Sequence, residues 1–386
     1  MFHRSVHAFT AALLLCALFL QPASALPAKS AEQAVVTFAV RCSPTATYET
    51  RLAVYHREIA KEIARARMQK ADPHLYMTDL YVTVFRQNRE QQFRLEYTGN
   101  LWNEAQSERL TLSKETSGKL LRYAEALRKR HYGKLISWDE VKRTVPRKSI
   151  FSVTDLETGL TFRVQHRAGR DHADVQPLTK EDTKIMKEIY NNRWSWNRKA
   201  ILVQFGNQRY AASMNGMPHG GDGIPGNGFS GHFCIHFSGS TTHRSDRPDL
   251  AHQLMVHKAA GMLKTFFQSA SPEQLTEIWK EAMQQKDIDM IRQLLEGVSP
   301  AQLASIEREL SELTSIQFER LRHANKPGND AAEEELLFKE IRFRATLYRK
   351  GSRAQQVTYR IIFERDSSQS PWRFRDVATV QTAKRK

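Results

Sequence analysis

The chain has 386 residues, enough for two or three domains, and 58 Lys and Arg against 42 Asp and Glu give a formal charge of +16. The basic residues are spread along the sequence without the interleaved aromatic side chains of a nucleic-acid groove, so we expect no nucleic-acid partner. Such a charge favours contact with anionic polymers or surfaces, and plain solubility is its simplest alternative explanation.

The first 25 residues have the composition of a secretory signal peptide. Arg4 supplies a weak basic region, residues 9–20 form an apolar run, and Ala23-Ser24-Ala25 is a cleavage site of the A-x-A type. The apolar run is too short for a comfortable membrane span. We therefore expect an exported protein without a stable membrane anchor after cleavage, located in the periplasm, cell wall or extracellular space. Anionic cell-envelope polymers are its expected charged partners.

Two cysteines remain after the leader, Cys42 and Cys234. An extracytoplasmic compartment permits a disulfide between them. Cys42 lies at the end of a predicted strand in a different domain, however, and the residues around Cys234 suit a reactive thiol. A free Cys234 is the favoured interpretation.

The segment 30–135 predicts a small α+β domain. Residues 34–40 indicate a buried strand, and residues 80–85 and 92–97 alternate like a hairpin. Apolar residues spaced three to four apart predict a helix over residues 50–68.

A β-rich domain is predicted for residues 140–262. A hairpin at residues 149–164 opens it, and Thr179 is a good N-cap for a helix over 179–191. Strands at 200–205 and 210–214 then lead the chain towards its second cysteine.

The segment 265–386 predicts helices followed by an antiparallel sheet. Ser271 and Ser299 each begin a Ser-Pro-x-Gln helix start, and residues 336–377 alternate as strands. This layout weakly resembles the NTF2-like fold, which hosts many unrelated functions. The whole chain is thus predicted to be a multidomain α+β protein.

The motif richest in chemistry lies between His219 and His236. A glycine-rich loop follows His219, and residues 231–236 read Gly-His-Phe-Cys-Ile-His. A thiol becomes a good nucleophile as a thiolate, and nearby imidazoles lower its pKa and accept its proton. Glycines permit tight turns and a close approach of the backbone to a substrate. The pattern indicates a cysteine acyl-transfer site.

This segment resembles the L,D-transpeptidases of the YkuD type. That family has a His, a loop of fourteen to seventeen residues, then Ser/Thr-His-Gly-Cys, an apolar residue and Arg or Asn. His219, His232 and Cys234 match the pattern, as does the loop length. Three positions depart from it: Gly231 replaces Ser/Thr, Phe233 replaces Gly, and His236 replaces Arg/Asn. The resemblance covers residues 146–245.

The resemblance implies an enzyme that acts on peptidoglycan stem peptides without a cofactor. Cys234 would attack the carbonyl before the terminal D-Ala of a tetrapeptide stem, and His219 would accept the thiol proton. The acyl group would pass to an amine, which crosslinks two stems, or to water, which hydrolyses one. His232 would orient or polarise the thiol.

Further candidates concern the substrate. His236 could bind a carboxylate if protonated, and Gly220 and Gly231 flank the loop that would approach the substrate. Trp194 and Trp196 could line a glycan-binding face, although core packing is the commoner role of such residues.

Two other functions stay open. His172 and Asp174, together with His232, could form the His/Asp ligand set of a zinc-dependent cell-wall peptidase. Alternatively, His172 and Asp174 bond loop backbone or orient the substrate. The departures from the family motif would also suit a non-catalytic wall-binding protein with a degenerate site.

Overall fold

The computed structural model describes residues 35–70, 76–86, 89–221, 223–242, 247–319 and 336–380. These ranges contain both helices and antiparallel sheets, so the α+β class is confirmed. The signal peptide predicted for residues 1–25 lies outside the described residues. Within these ranges, no helix is both long and apolar enough to cross a membrane.

The first sheet has seven strands, in the order β2-β1-β4-β5-β6-β7-β3. Two helices pack against it: α1 (Arg57–Arg65) and α2 (Lys114–His131). Its strands are β1 (Val35–Val40), β2 (Thr50–Tyr55), β3 (Met68–Lys70), β4 (Tyr76–Arg86), β5 (Arg89–Glu96), β6 (Leu101–Asn103) and β7 (Glu108–Leu110).

The helix predicted over residues 50–68 is wrong in its first third. Strand β2 pairs with β1 residue by residue, and α1 begins only after the N-cap His56. The apolar spacing through this stretch mixes two periods, because Leu52 and Val54 alternate on a strand whereas Ile59 and Ile63 share a helix face. The pairing of β2 with β1 determines the conformation of residues 50–55, and this pairing cannot be predicted from the local sequence.

The central part is a closed barrel of six strands, in the order β10-β13-β12-β11-β8-β9, with β9 paired to β10. Helix α3 (Trp138–Thr144) precedes it, and α4 (Lys180–Ile189) has the predicted Thr179 cap in a capping box with Asp182. The strands are β8 (Ile150–Asp155), β9 (Thr161–Ala168), β10 (Ala173–Pro177), β11 (Lys199–Phe205), β12 (Gln208–Met214) and β13 (Phe233–His236).

Helices dominate the chain after the barrel, and a four-stranded sheet, β14-β15-β16-β17, closes it. The helices are α5 (Leu250–Ala259), α6 (Leu263–Gln268), α7 (Pro272–Gln285), α8 (Ile288–Leu294) and α9 (Pro300–Glu312). The strands are β14 (Leu313–Phe318), β15 (Phe338–Arg349), β16 (Gln355–Glu364) and β17 (Arg373–Val380). Both predicted Ser-Pro starts are helix N-termini, with Ser271 and Ser299 as N-caps.

The described buried apolar residues form two clusters. One fills the barrel. The other runs from the first sheet through α5 to the C-terminal helices and sheet, and it includes Leu202 and Ala211 from the outer face of the barrel. The parts on either side of the barrel therefore share one continuous core instead of each enclosing its own.

Candidate active site

The side-chain alternation of β13 places its cysteine outside the barrel. Phe233 and Ile235 point into the barrel core, so Cys234 and His236 point outward. Asp174 lies directly opposite Cys234 on the paired strand β10. The inward position of Phe233 also explains why the bulky residue of the motif is tolerated, because its ring lies on the other side of the strand from the thiol.

The glycine loop brings His219 back over this outer face. The backbones of His219 and His232 bond each other in both directions, at 3.0 and 2.8 Å, and so close the loop at its base. A Cβ on Gly220 would lie 2.3 Å from the His232 ring, and one on Gly231 would lie 2.3 Å from the His219 carbonyl oxygen. Both glycines have positive φ. They permit this closure, a structural role distinct from the predicted contact with substrate.

Buried amides anchor the middle of the loop to the barrel. Asn227 donates to the Pro177 carbonyl at 2.8 Å and accepts from the Phe229 N–H at 2.9 Å. Gln176 accepts from the Ile224 N–H at 2.6 Å. Since Asn227 and Gln176 are buried, these bonds hold the loop as a fixed wall of the site.

We expect Asn227→Ala to lower the free energy of unfolding by about 2–4 kcal/mol, because at least two buried polar partners would each lose a bond worth about 1–3 kcal/mol. Chemical denaturation measures the change. Ser230→Ala, at an exposed position of the same loop, is the control and should stay within about 0.5 kcal/mol of wild type. Equal stabilities for the two variants would contradict the anchoring role.

The thiol and His219 form a close pair. Nε2 of His219 lies 3.2 Å from Sγ of Cys234, and Nδ1 lies 2.8 Å from the Met217 carbonyl oxygen. Because a carbonyl oxygen only accepts, Nδ1 carries the proton of a neutral ring and Nε2 is free to accept one from the thiol. The hydrogen bond to Cys234 raises the pKa of His219.

A second imidazole faces the same sulfur. His172 bonds the Thr241 carbonyl through Nδ1 at 2.9 Å, and its Nε2 lies 3.3 Å from Oδ1 of Asp174. Burial by itself lowers the pKa of His172, but the hydrogen bonds to Asp174 and Cys234 outweigh burial and raise this pKa to about 10. His172 is therefore an imidazolium at neutral pH.

These two histidines make the thiol acidic. Burial raises the pKa of Cys234, but the hydrogen bonds that the protonated rings of His172 and His219 donate to the thiolate outweigh burial, so the net pKa is below the ordinary cysteine value. Asp174, whose Oδ1 lies 3.9 Å from Sγ, offsets the positive charge of His172. His232 is half-buried, and burial lowers its pKa; its ring lies edge-on to that of His219, 4.6 Å away.

The lowered pKa predicts that iodoacetamide alkylates Cys234 faster than free cysteine near neutral pH, because more of the thiol is ionised. Removing the cation in His172→Gln should shift the pH profile of alkylation upward by about one unit or more. Peptide mass spectrometry separates this residue from Cys42, whose burial raises the pKa and which serves as the internal control. A profile unchanged in His172→Gln would contradict the role of the imidazolium.

His236 differs from its predicted role. Only 2% of the residue is exposed, and its ring stacks between His172 and His252 at centroid distances of 4.4 and 3.7 Å. Burial and the two neighbouring histidines hold its pKa well below the usual value. A buried neutral ring is unsuited to pairing with a substrate carboxylate, so His236 lies beneath the site and does not line it.

The two tryptophans lie in different surroundings. Trp196 is 49% exposed, and its ring lies 5.2 Å from that of His219. Trp194 packs edge-on against Phe229 of the loop. Trp196 is therefore placed to contact a molecule that approaches His219, whereas Trp194 mainly supports the loop.

Histidine and cysteine side chains in this region also lie close to one another. Two groups have ligand atoms within 4.8 Å of one another among the described residues: His172, Cys234 and His236, and His219, His232 and Cys234. Asp174 contacts both His172 and His232, with Oδ1 at 3.3 and 3.7 Å, but both three-residue groups include the thiol. The predicted His172–Asp174–His232 set is thus centred on a carboxylate that lies beside Cys234.

The sequence indicated His172 as a zinc ligand, as a loop residue or as a residue that orients the substrate beside Cys234, but it did not identify His172 as a direct partner of the thiol. It also missed His252, which covers His236 and bonds Ser213 through Nδ1 at 2.9 Å. The signal for the contact between His172 and the thiol was weak. His172 precedes Asp174 by two residues, but β10, which carries Asp174, pairs with β13, a strand that is distant in the sequence.

A scan against protein-family models found no match to the chain, and a search of curated proteins found no significantly similar sequence.

Proposed function

We propose that this chain is an exported cysteine enzyme that transfers or hydrolyses acyl groups of peptidoglycan stem peptides, in the manner of L,D-transpeptidases. The observation that carries the proposal is the 3.2 Å contact between Sγ of Cys234 and Nε2 of His219, in a ring oriented by the Met217 carbonyl. Such a nucleophile, base and orienting group define an activated nucleophile on many folds.

The chemistry proceeds in two halves. Nε2 of His219 accepts the thiol proton, and the sulfur bonds to the carbonyl carbon before the terminal D-Ala. The C–N bond then breaks, and the D-Ala amine leaves with the proton from His219. In the second half an amine or a water loses a proton to His219 and bonds to the thioester carbon, the C–S bond breaks, and His219 returns the proton to the sulfur. His172 offsets the charge of the thiolate before acylation and again when the C–S bond breaks.

The loop geometry limits where an oxyanion can be held. The N–H groups of His219 and His232 bond each other's carbonyl oxygens, so these two donors are already used. Trp196 offers an exposed ring beside the half-buried side of the site, which suits contact with the sugar or peptide of the wall. The basic chain favours anionic envelope polymers around that substrate.

The proposal extends to the domains. The barrel and its loop, within residues 140–262, form the L,D-transpeptidase-like catalytic part. In this proposal residues 30–135 and 265–386 position it on the wall, and the latter weakly resemble the NTF2-like layout. The continuous core that joins the flanking parts supports a fixed arrangement.

The test is incubation of the mature protein with tetrapeptide muropeptides, followed by mass spectrometry. Loss of the terminal D-Ala with or without crosslinking supports the proposal. Activity that disappears on chelation and returns with zinc would favour the zinc peptidase instead. An unreactive Cys234 with wall binding retained would favour the non-catalytic alternative.

A further inference from the structure

A basic groove lies where three parts of the described chain meet: the end of α2, the turn between β11 and β12, and the end of α5. Its volume is about 820 Å³. The residues that give the groove its charge and its hydrogen-bonding groups are Lys129, Arg130, Lys134, Gln204, Asn207 and Arg209. The acyl transfer proposed above uses none of these side chains.

Most of the positive charge in the basic groove is not neutralised by the protein. In the part of the chain that the structure describes, Arg130, Lys134 and Arg209 make no ion pair. Glu125 is the one acidic residue among the described lining residues, and it pairs with Lys129 at 2.7 Å. Since Arg130 and Lys134 are exposed, an anion that enters the groove can reach both of them.

Backbone hydrogen bonds hold the cations in place. The Lys134 N–H donates to the Arg209 carbonyl oxygen at 2.8 Å, and the guanidinium of Arg209 donates to the Arg130 carbonyl oxygen. The Gly133 N–H donates to the Ala259 carbonyl oxygen at 3.0 Å, which ties this segment to α5. The floor of the groove is thus formed before any ligand arrives, and binding does not have to order it.

The lining suits a chain of phosphates without bases. Guanidinium groups bind phosphate oxygens in pairs, and a lysine ammonium binds them as a point charge. The exposed amides of Gln204 and Asn207 add hydrogen-bond donors. Tyr132, the one aromatic residue of the lining, is buried and bonds Asp79 at 2.8 Å, so it offers no free face on which a base could stack.

A membrane surface fits the basic groove less well than a polymer does. The cations line a recess, whereas lipid headgroups form a plane. Proteins that lie on a membrane also insert apolar side chains between the lipids. Among the described lining residues, Met262 is the one large apolar residue with an exposed surface, at 37%.

The basic groove and the nucleophile lie towards opposite ends of one barrel strand. Arg209 is near the start of β12, and Met214, at its end, pairs with Ile235, the neighbour of Cys234. The distance from Arg209 to Met214 is about 17 Å at the usual rise of an antiparallel strand. A polymer in the groove would therefore hold the chain without occupying the site of the thiol.

We propose that the basic groove binds a linear phosphodiester polymer that carries no bases, and that this polymer anchors the chain. Its location in the cell envelope rests on the proposed exported function, whereas the binding chemistry does not. Each phosphate that pairs with a cation releases a counterion, so the affinity falls as the salt concentration rises.

The experiment measures the binding of labelled poly(glycerol phosphate) to the full chain by fluorescence anisotropy over a series of salt concentrations. Combining Arg130→Gln with Lys134→Gln should weaken binding by about 10- to 30-fold at physiological salt, and it should reduce the slope of log affinity against log salt by about 1.5. The control combines Lys350→Gln with Arg353→Gln, which removes the same charge from the exposed turn between β15 and β16. It should bind as wild type does.

Four results would overturn the proposal. The wild type does not bind the polymer. Both double variants lose affinity equally, so that only net charge matters. Oligothymidylate with the same number of phosphates binds more than about 5-fold tighter, which indicates base stacking. Vesicles of phosphatidylglycerol and phosphatidylcholine bind tighter than the polymer through the same two cations, which indicates a lipid surface.

The test is separate from the test of the enzyme. Release of D-Ala from muropeptides in solution should be unchanged when Arg130→Gln and Lys134→Gln are combined, because neither side chain is near the thiol in the barrel. A wild type that processes muropeptides but does not bind poly(glycerol phosphate) refutes only the groove proposal. A wild type that binds the polymer but is inactive refutes only the enzyme.

Discussion

Replacing Cys234 with Ala is expected to abolish the release of D-Ala from tetrapeptide stems and the formation of crosslinks. In the proposed mechanism the sulfur bonds to the substrate, so the rate should fall by on the order of 10⁴-fold or more. Mass spectrometry should also show an acyl-enzyme adduct on the wild type and none on the variant.

Cys42→Ser is the matched control for this loss. The Sγ of Cys42 lies 3.2 Å from both the Leu156 carbonyl oxygen and Oε2 of Glu157, and a serine hydroxyl, like the thiol, can donate its one proton to either acceptor. This variant should keep wild-type activity. If Cys234→Ala instead formed product at the wild-type rate, the cysteine mechanism would be wrong and the zinc peptidase would become the leading candidate.

His219→Gln should produce the second largest loss, about 10²–10⁴-fold in kcat, because a glutamine amide cannot accept the thiol proton or return it to the leaving amine. KM should change little, since the exposed ring of Trp196 and the rest of the surface remain. His257→Gln is the control and should keep wild-type activity, because His257 lies on α5 and its Nδ1 bonds the Gln253 carbonyl oxygen.

The pH dependence separates His219 from His172. Without the His172 cation the pKa of the thiol rises, so His172→Gln should recover much of its activity at higher pH, where the thiolate forms again. His219→Gln should not recover, because the proton acceptor itself is missing. Recovery of both variants to the same degree would show that His219 acts only through the charge of its ring.

Local patterns in the sequence predicted much of the architecture. The hairpin at β8 and β9, the capped helix α4 and the strands around Cys234 follow from alternation, capping residues and turn glycines within a few positions of one another. The proximity of His219 and Cys234 followed from the loop, since a glycine-rich segment can return the chain to the strand that it left.

The parts that could not be predicted depend on distant pairing. The side-chain alternation of β13 predicted that His236 lies on the same side of the strand as Cys234, but it did not predict which element covers that side. The cover is α5, which is buried on most of its surface, so its sequence carries no single apolar stripe to reveal which face meets the barrel. For the same reason the burial of His236 and the role of His172 required the structure.

Helix α5 also packs against more than one part of the molecule. One side of it lies on strands β11, β12 and β13, with His252 stacked on His236, and Leu254 and Met255 belong to the core that joins the flanking sheets. The helix that covers His236, beside Cys234, thus also belongs to the core of the neighbouring parts. The barrel and its loop cannot be exchanged between proteins as an independent unit, because the exchange would remove a helix that two cores share.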